Sequence, residues 1–84
     1  MLRLRFFASI RERLGRSTLE MAFTPQCADI DALITHLDGG MLPGCAQWLR
    51  APSTLVAVNR AITDRATALA DEDEVAFYPP VTGG

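Results

Sequence analysis

The sequence contains no lysine. All eight basic residues are arginine, set against ten Asp plus Glu for a formal net charge of −2 over 84 residues. A slightly acidic chain with scattered arginines has no basic stripe to follow a phosphate backbone, which argues against nucleic-acid binding. Cysteine is scarce too: Cys27 and Cys45 form no C-x-x-C pair, so neither a disulfide framework nor a zinc site is indicated. No apolar run approaches the ~20 residues of a membrane span. Arg3 and Arg5 interrupt the only apolar start, so nothing reads as a signal peptide. The expectation is a soluble, cytoplasmic protein without membrane association. The single histidine, His36, has no partner at ligand spacing, and no P-loop or Ser/His/Asp arrangement is present. A chain of this length makes one small domain with a thin core. It has little room for both a deep pocket and a rigid catalytic shell, which argues against a self-sufficient enzyme.

What is present is patterned. Hydrophobic residues make up 49% of the chain, enough to exclude disorder. Leu2 to Phe7 alternates like a half-buried strand, with Leu2, Leu4 and Phe6 inward and Arg3, Arg5 and Phe7 outward. Ala8 to Leu14 reads as a short helix or turn closed by Gly15. Thr18 to Phe23 alternates again, with Leu19, Met21 and Phe23 inward. Asp29 is a good N-cap for a helix whose apolar stripe is Ile30, Leu33, Ile34 and Leu37, stopped by Gly39-Gly40. Met41 to Leu49 is irregular, with one turn at Ala46 to Leu49. A third strand covers Thr54 to Val58, Asn59-Arg60 makes a tight turn, and Ala61 to Thr63 returns. Leu69 anchors a polar segment. The last strand, Glu74 to Tyr78, places Val75 and Phe77 inward and Ala76 and Tyr78 outward.

The order β-β-α-β-β-β predicts an α+β fold, a four- to five-stranded sheet with one main helix on one face. One helix cannot cover both faces, so the other stays open. Phe7 and Tyr78 fall on that open face by alternation, and Ile62 can join them. Large apolar groups outside a core mark a protein contact. The competing expectation is that Phe7 and Tyr78 only pack beneath a loop.

The chain ends Phe77-Tyr78-Pro79-Pro80-Val81-Thr82-Gly83-Gly84. Two prolines stop the ladder and stiffen the base, and two glycines give a thin tip that can enter a narrow channel. A terminal carboxylate is a poor electrophile and must be activated before transfer chemistry. Side chains at the last two positions would obstruct the approach of nucleotide and nucleophile. The missing lysines fit this reading, since an activated carboxyl terminus acylates amines. Other candidates are weaker. Asp71 to Glu74 lacks the spacing of a calcium loop and reads as a solvated lead-in to the last strand. Cys27 lacks an activating motif for a persulfide relay.

The chain resembles the small sulfur-carrier subunit of molybdopterin synthase, a ubiquitin-like β-grasp family. The resemblance lies in Leu4-Arg5-Phe6-Phe7-Ala8 with Arg11-Glu12, in Ala57-Val58-Asn59, and in Asp73 through Gly84. It implies a single β-grasp domain over residues 1–84, with residues 80–84 as a flexible tail. It implies that Gly84, next to Gly83, is adenylated and then converted to a thiocarboxylate, which gives sulfur to cyclic pyranopterin monophosphate for the molybdopterin dithiolene. The implied partners are the large catalytic subunit in a heterotetramer, a ubiquitin-activating-like adenylyltransferase and a sulfurtransferase. Phe7, Ile62 and Tyr78 would dock, and Pro79, Pro80, Val81 and Thr82 would enter the partner. No cofactor is expected to be bound stably; ATP is used by the activating enzyme, so nucleotide contact is transient. The chain is then a sulfur-donating subunit and not catalytic alone. Alternatives are a thiamine-type or protein-modifying ubiquitin-like carrier, and a β-grasp binding module with an idle tail. Glu72 stands where the family commonly has glycine, which implies either a strained left-handed residue or a different turn. The Gly39 to Gly44 segment is also peculiar to this chain.

Overall fold

A computed structural model describes residues 1–79. Five strands form one mixed sheet: β1 (Leu2–Phe6), β2 (Thr18–Met21), β3 (Leu55–Val58), β4 (Ala61–Thr63) and β5 (Glu74–Tyr78), in the order β2-β1-β5-β3-β4. The first and last strands lie side by side in parallel at the centre, and every other pairing is antiparallel. This is the α+β architecture that the element order predicts, in the β-grasp form that the resemblance implies.

Strand alternation sets the two faces. Leu2, Leu4 and Phe6 of β1, Leu19 and Met21 of β2, Val56 of β3, and Val75 and Phe77 of β5 are all buried on one side. Phe6 and Phe77 are register partners, and their rings stack with centroids 5.9 Å apart. Helix α2 (Ile30–Asp38) covers that side with the predicted stripe, since Ile30, Leu33, Ile34 and Leu37 are all fully buried. Its N-cap is Asp29, whose carboxylate accepts from the Ala32 amide at 2.7 Å. The short α3 (Ala46–Leu49) extends this layer with Leu49 buried, alongside Leu42 and Cys45. Arg50 ties α3 to α2 by donating from Nε to Asp31 at 2.7 Å and from Nη2 to the Thr35 hydroxyl. Leu69 reaches the same core, held by its amide donating to the Ala28 carbonyl at 2.8 Å.

Between β1 and β2 the chain makes α1 (Ala8–Leu14), ended by Gly15 at φ +73°, as the sequence predicts. Asn59 and Arg60 both take positive φ, 49° and 71°, and so build the tight turn from β3 to β4.

Some local expectations are corrected. The second strand stops at Met21, short of Phe23, because Met21 already pairs with Leu2, where β1 begins. Phe23 still packs against the core from its half-buried position. Ala76 lies on the predicted outward face but is buried, for reasons given below. The acidic run is the solvated lead-in to β5 that the sequence predicts, with Asp71 and Glu72 exposed, and it is also a hydrogen-bonded turn. Asp71 and Glu72 both accept from the Met1 ammonium, while Asp73 accepts from the Asn59 side-chain amide at 2.9 Å and the Ala70 amide at 2.8 Å. Glu72 adopts φ +73°, the left-handed alternative. The expected flexible tail, residues 80–84, lies outside the described residues.

Candidate functional site

The face of the sheet opposite α2 has no helix over it, and strand register places its residues in rows. One row crosses Thr18, Arg5, Ala76, Ala57 and Ile62. The next, toward the end where β5 runs out, contains Leu55 opposite Tyr78. Phe7 sits beside Tyr78 in that row: the two rings stack with centroids 4.6 Å apart and planes within 6°.

Phe7 reaches this position because the chain turns immediately after it. Phe7 itself stays extended at φ −118°, ψ 151°, with its amide donating to the Phe77 carbonyl at 3.2 Å. Ala8 then takes φ +49° and the chain enters α1, whose first amides, those of Ile10 and Arg11, donate back to the Phe7 carbonyl. The aromatic ring therefore keeps the sheet's alternation although the backbone has left the ladder. The Arg5 guanidinium lies 5.1 Å from the Phe7 ring centroid, so a cation borders the aromatic pair.

Phe7 and Tyr78 are half-buried, each covered partly by the other, and Ile62 is 63% exposed. Sequence alternation therefore brought Phe7 and Tyr78 together, with Ile62 one row away. It missed Leu55, which is 42% exposed and is the register partner of Tyr78. Its signal was available: with Val56 and Val58 inward, Leu55 and Ala57 must point outward. Between Ile62 and the Leu55 row, Ala57 and Ala76 form a floor. They are buried despite facing outward because a methyl group set among larger neighbours is sheltered by them. The result is a shallow apolar dish rimmed by Leu55, Ile62, Tyr78 and Phe7. Such a surface suits a protein contact better than a small molecule.

β5 is an interior strand, paired with β1 on one side and β3 on the other. Its last residue, Tyr78, is thus fixed on the rim of the dish, and the half-buried Pro79 leads from it. The remaining expected site residues, Pro80, Val81, Thr82, Gly83 and Gly84, lie outside the described residues.

Titratable groups add little chemistry of their own. Burial pushes the Cys45 thiol up to about 11, with the Asp38 carboxylate adding to the shift, so it is protonated at neutral pH. Cys27 is also a buried free thiol, and its sulfur lies 3.7 Å from the Thr24 hydroxyl. Hydrogen bonding to Asp71 raises the Met1 ammonium above its usual range and lowers the Asp71 carboxyl; both belong to the turn before β5. Among the described residues, no group of three or more His, Cys, Asp or Glu is arranged to hold a metal ion. None of their helices is long and apolar enough to cross a membrane.

Comparison with known proteins agrees with this geometry. The chain is 37% identical to the molybdopterin synthase sulfur carrier subunit of Escherichia coli, and the match covers 100% of both chains. It is 34% identical to the Haemophilus influenzae protein of the same name, again over 100% of both. Among solved structures it is similar to a chain in the complex of subunits 1 and 2 of the molybdopterin-converting factor from Helicobacter pylori. That match has a TM-score of 0.67 and 25% identity, covering 99% of this chain and 97% of that one. The ThiS family model matches residues 4–84. With a family match and full-length relatives of this kind, the chain belongs to the ThiS family.

Proposed function

We propose that this chain is the sulfur-carrier subunit of a molybdopterin synthase, with the Gly84 carboxyl as its reacting group. The observation that carries the proposal is the exit of the central strand. Tyr78 is locked against Phe7 on the rim of an apolar dish, and Pro79 leads directly away from it. A partner seated on that dish would meet the tail at a fixed starting point, so the position of Gly84 within the partner is set by docking.

The chemistry follows from the carboxylate. An activating enzyme of the ubiquitin-activating type joins it to ATP, giving a glycyl adenylate and releasing pyrophosphate. The outer sulfur of a persulfide carried by a sulfurtransferase displaces AMP to give an acyl disulfide. A second thiol then cleaves the S–S bond, forming a disulfide and releasing the terminal thiocarboxylate. The tail then enters the large catalytic subunit, where the sulfur passes to cyclic pyranopterin monophosphate. Two such transfers build the dithiolene, and two carriers with two large subunits make the heterotetramer. The carrier provides delivery and positioning, and ATP belongs to the activating enzyme, so no stably bound cofactor is required. Gly83 and Gly84 let backbone alone approach the nucleotide and the acceptor. Dependence of the cycle on ATP supports a cytoplasmic location.

The test is reconstitution. Thiocarboxylated chain, large subunit and cyclic pyranopterin monophosphate should together yield molybdopterin, and carrier with an ordinary carboxylate should yield none. Transfer of sulfur to a thiazole precursor instead, or attachment of the chain to protein lysines, would replace this function with that of a thiamine-type or protein-modifying carrier.

A further inference from the structure

A second feature lies round the corner from the dish, at the same end of the sheet. Arg13, near the end of α1, lays its guanidinium over the Trp48 indole of α3, 4.0 Å from the ring centroid. The pair borders a groove of about 190 Å³ whose lining includes Ser9, Ile10, Thr54 and Pro79. Pro79 places the groove at the root of the tail. Ser9 and Ile10 follow within α1, three residues or fewer from Phe7, which joins the groove to the dish.

The platform is held firmly. Ile10 anchors α1 in the core and Leu49 anchors α3. The Thr54 hydroxyl donates to the Trp48 carbonyl at 2.7 Å, and the Trp48 amide donates to the Cys45 carbonyl at 2.9 Å. Arg13 itself is exposed, and among the described residues it takes part in no ion pair. None of the groove's lining residues is acidic. Arg13 is the one charged residue lining the groove, on a chain of net charge −2.

Stacking on an indole uses the face of a guanidinium and leaves its in-plane N–H donors free. A planar fork held flat in advance loses little further freedom when it grips a carboxylate in bidentate fashion. We propose that Arg13, mounted on Trp48, reads an Asp or Glu side chain on the rim of the catalytic subunit that receives residues 80–84. The contact would fix the rotation of the carrier about its tail, which the shallow dish does weakly. This inference rests on the carrier function proposed above.

Trp48 is the single tryptophan of the chain, so 5-fluorotryptophan labelling of the full-length carrier gives one ¹⁹F resonance at the groove. Unlabelled catalytic subunit should shift that resonance on binding. Arg13→Gln should weaken binding about tenfold, as expected for a lost charge-assisted hydrogen bond, and should reduce the salt dependence of affinity while the melting temperature stays close to that of the parent. Arg13→Lys should recover only part of the loss, because an ammonium has no planar fork. Tyr78→Asp, with folding checked by circular dichroism, serves as the control on the dish. If Arg13→Gln binds like the parent while Tyr78→Asp binds weakly, the Arg13 inference falls and the carrier reading stands. A resonance shifted by ATP or pyrophosphate but not by the subunit would also overturn the carboxylate assignment. If the parent chain does not bind the subunit at all, the carrier reading falls and this inference with it.

Discussion

Replacing Glu72 by glycine should make the domain more stable than replacing it by alanine. Glu72 sits at φ +73° in the turn that feeds β5. A left-handed conformation costs an L-residue with a Cβ roughly 1–2 kcal/mol, and glycine escapes this penalty. Glycine also loses more backbone freedom on folding, an opposing effect of about 0.5–1 kcal/mol. Both substitutions remove the Glu72 carboxylate that accepts from the Met1 ammonium at 3.2 Å, an exposed pair, so its loss cancels in the comparison. The glycine variant should therefore exceed the alanine variant by about 0.75 kcal/mol, or about 3–6 °C in melting temperature for a domain of this size. Urea and thermal denaturation of the two variants, with identical buffers and salt, measure the difference. An alanine variant as stable as the glycine variant would refute the claim that backbone strain at Glu72 is relieved by losing its Cβ.

Further outcomes concern the core, the dish and a buried thiol. Leu33 is fully buried beneath the sheet, so Leu33→Ala should lower unfolding free energy by about 2–5 kcal/mol, measured by urea denaturation; a loss below 1 kcal/mol would place Leu33 outside the core. Tyr78→Asp should weaken binding to the catalytic subunit by about 2 kcal/mol or more, and Leu55→Asp should act in the same direction through the neighbouring register position. Calorimetric titration measures both. Because burial favours the neutral Cys45 thiol, the unfolded chain gives up this proton first. The resulting stability is complete below about 9 and is lost as pH rises toward about 11. The change is on the order of 2–3 kcal/mol, and Cys45→Ala should flatten that part of the stability–pH curve.

Local patterns carried much of the fold. The stripe of Ile30, Leu33, Ile34 and Leu37, the Asp29 cap and the Asn59-Arg60 turn each depend on neighbours within a few residues, and all are found. Pairing between β1 and β5 depends on residues at opposite ends of the chain, and no local period encodes it. Leu42 and Cys45 enter the core from an irregular stretch around Pro43 and Gly44, where neither helical nor strand spacing applies. At the candidate site, alternation identified Phe7 and Tyr78, but their contact needed the turn at Ala8, whose positive φ has no sequence signal. The Arg13–Trp48 stack was invisible for another reason: it joins two short helices separated by the whole α2 layer in sequence.

The most direct test of the account is the intact mass of the carrier after incubation with ATP, a sulfur source and the activating enzyme. The full-length chain should gain the mass difference of one oxygen replaced by sulfur. Deleting Gly84 moves the reacting carboxyl one residue short, and displacement by about 1 Å can already cost on the order of a hundredfold in rate, so that variant should show no gain. Gly83→Val should be slowed, and a residue added after Gly84 should block the reaction. If the Gly84 deletion acquires sulfur and supports molybdopterin formation at the rate of the full-length chain, the Gly84 carboxyl is not the reacting group.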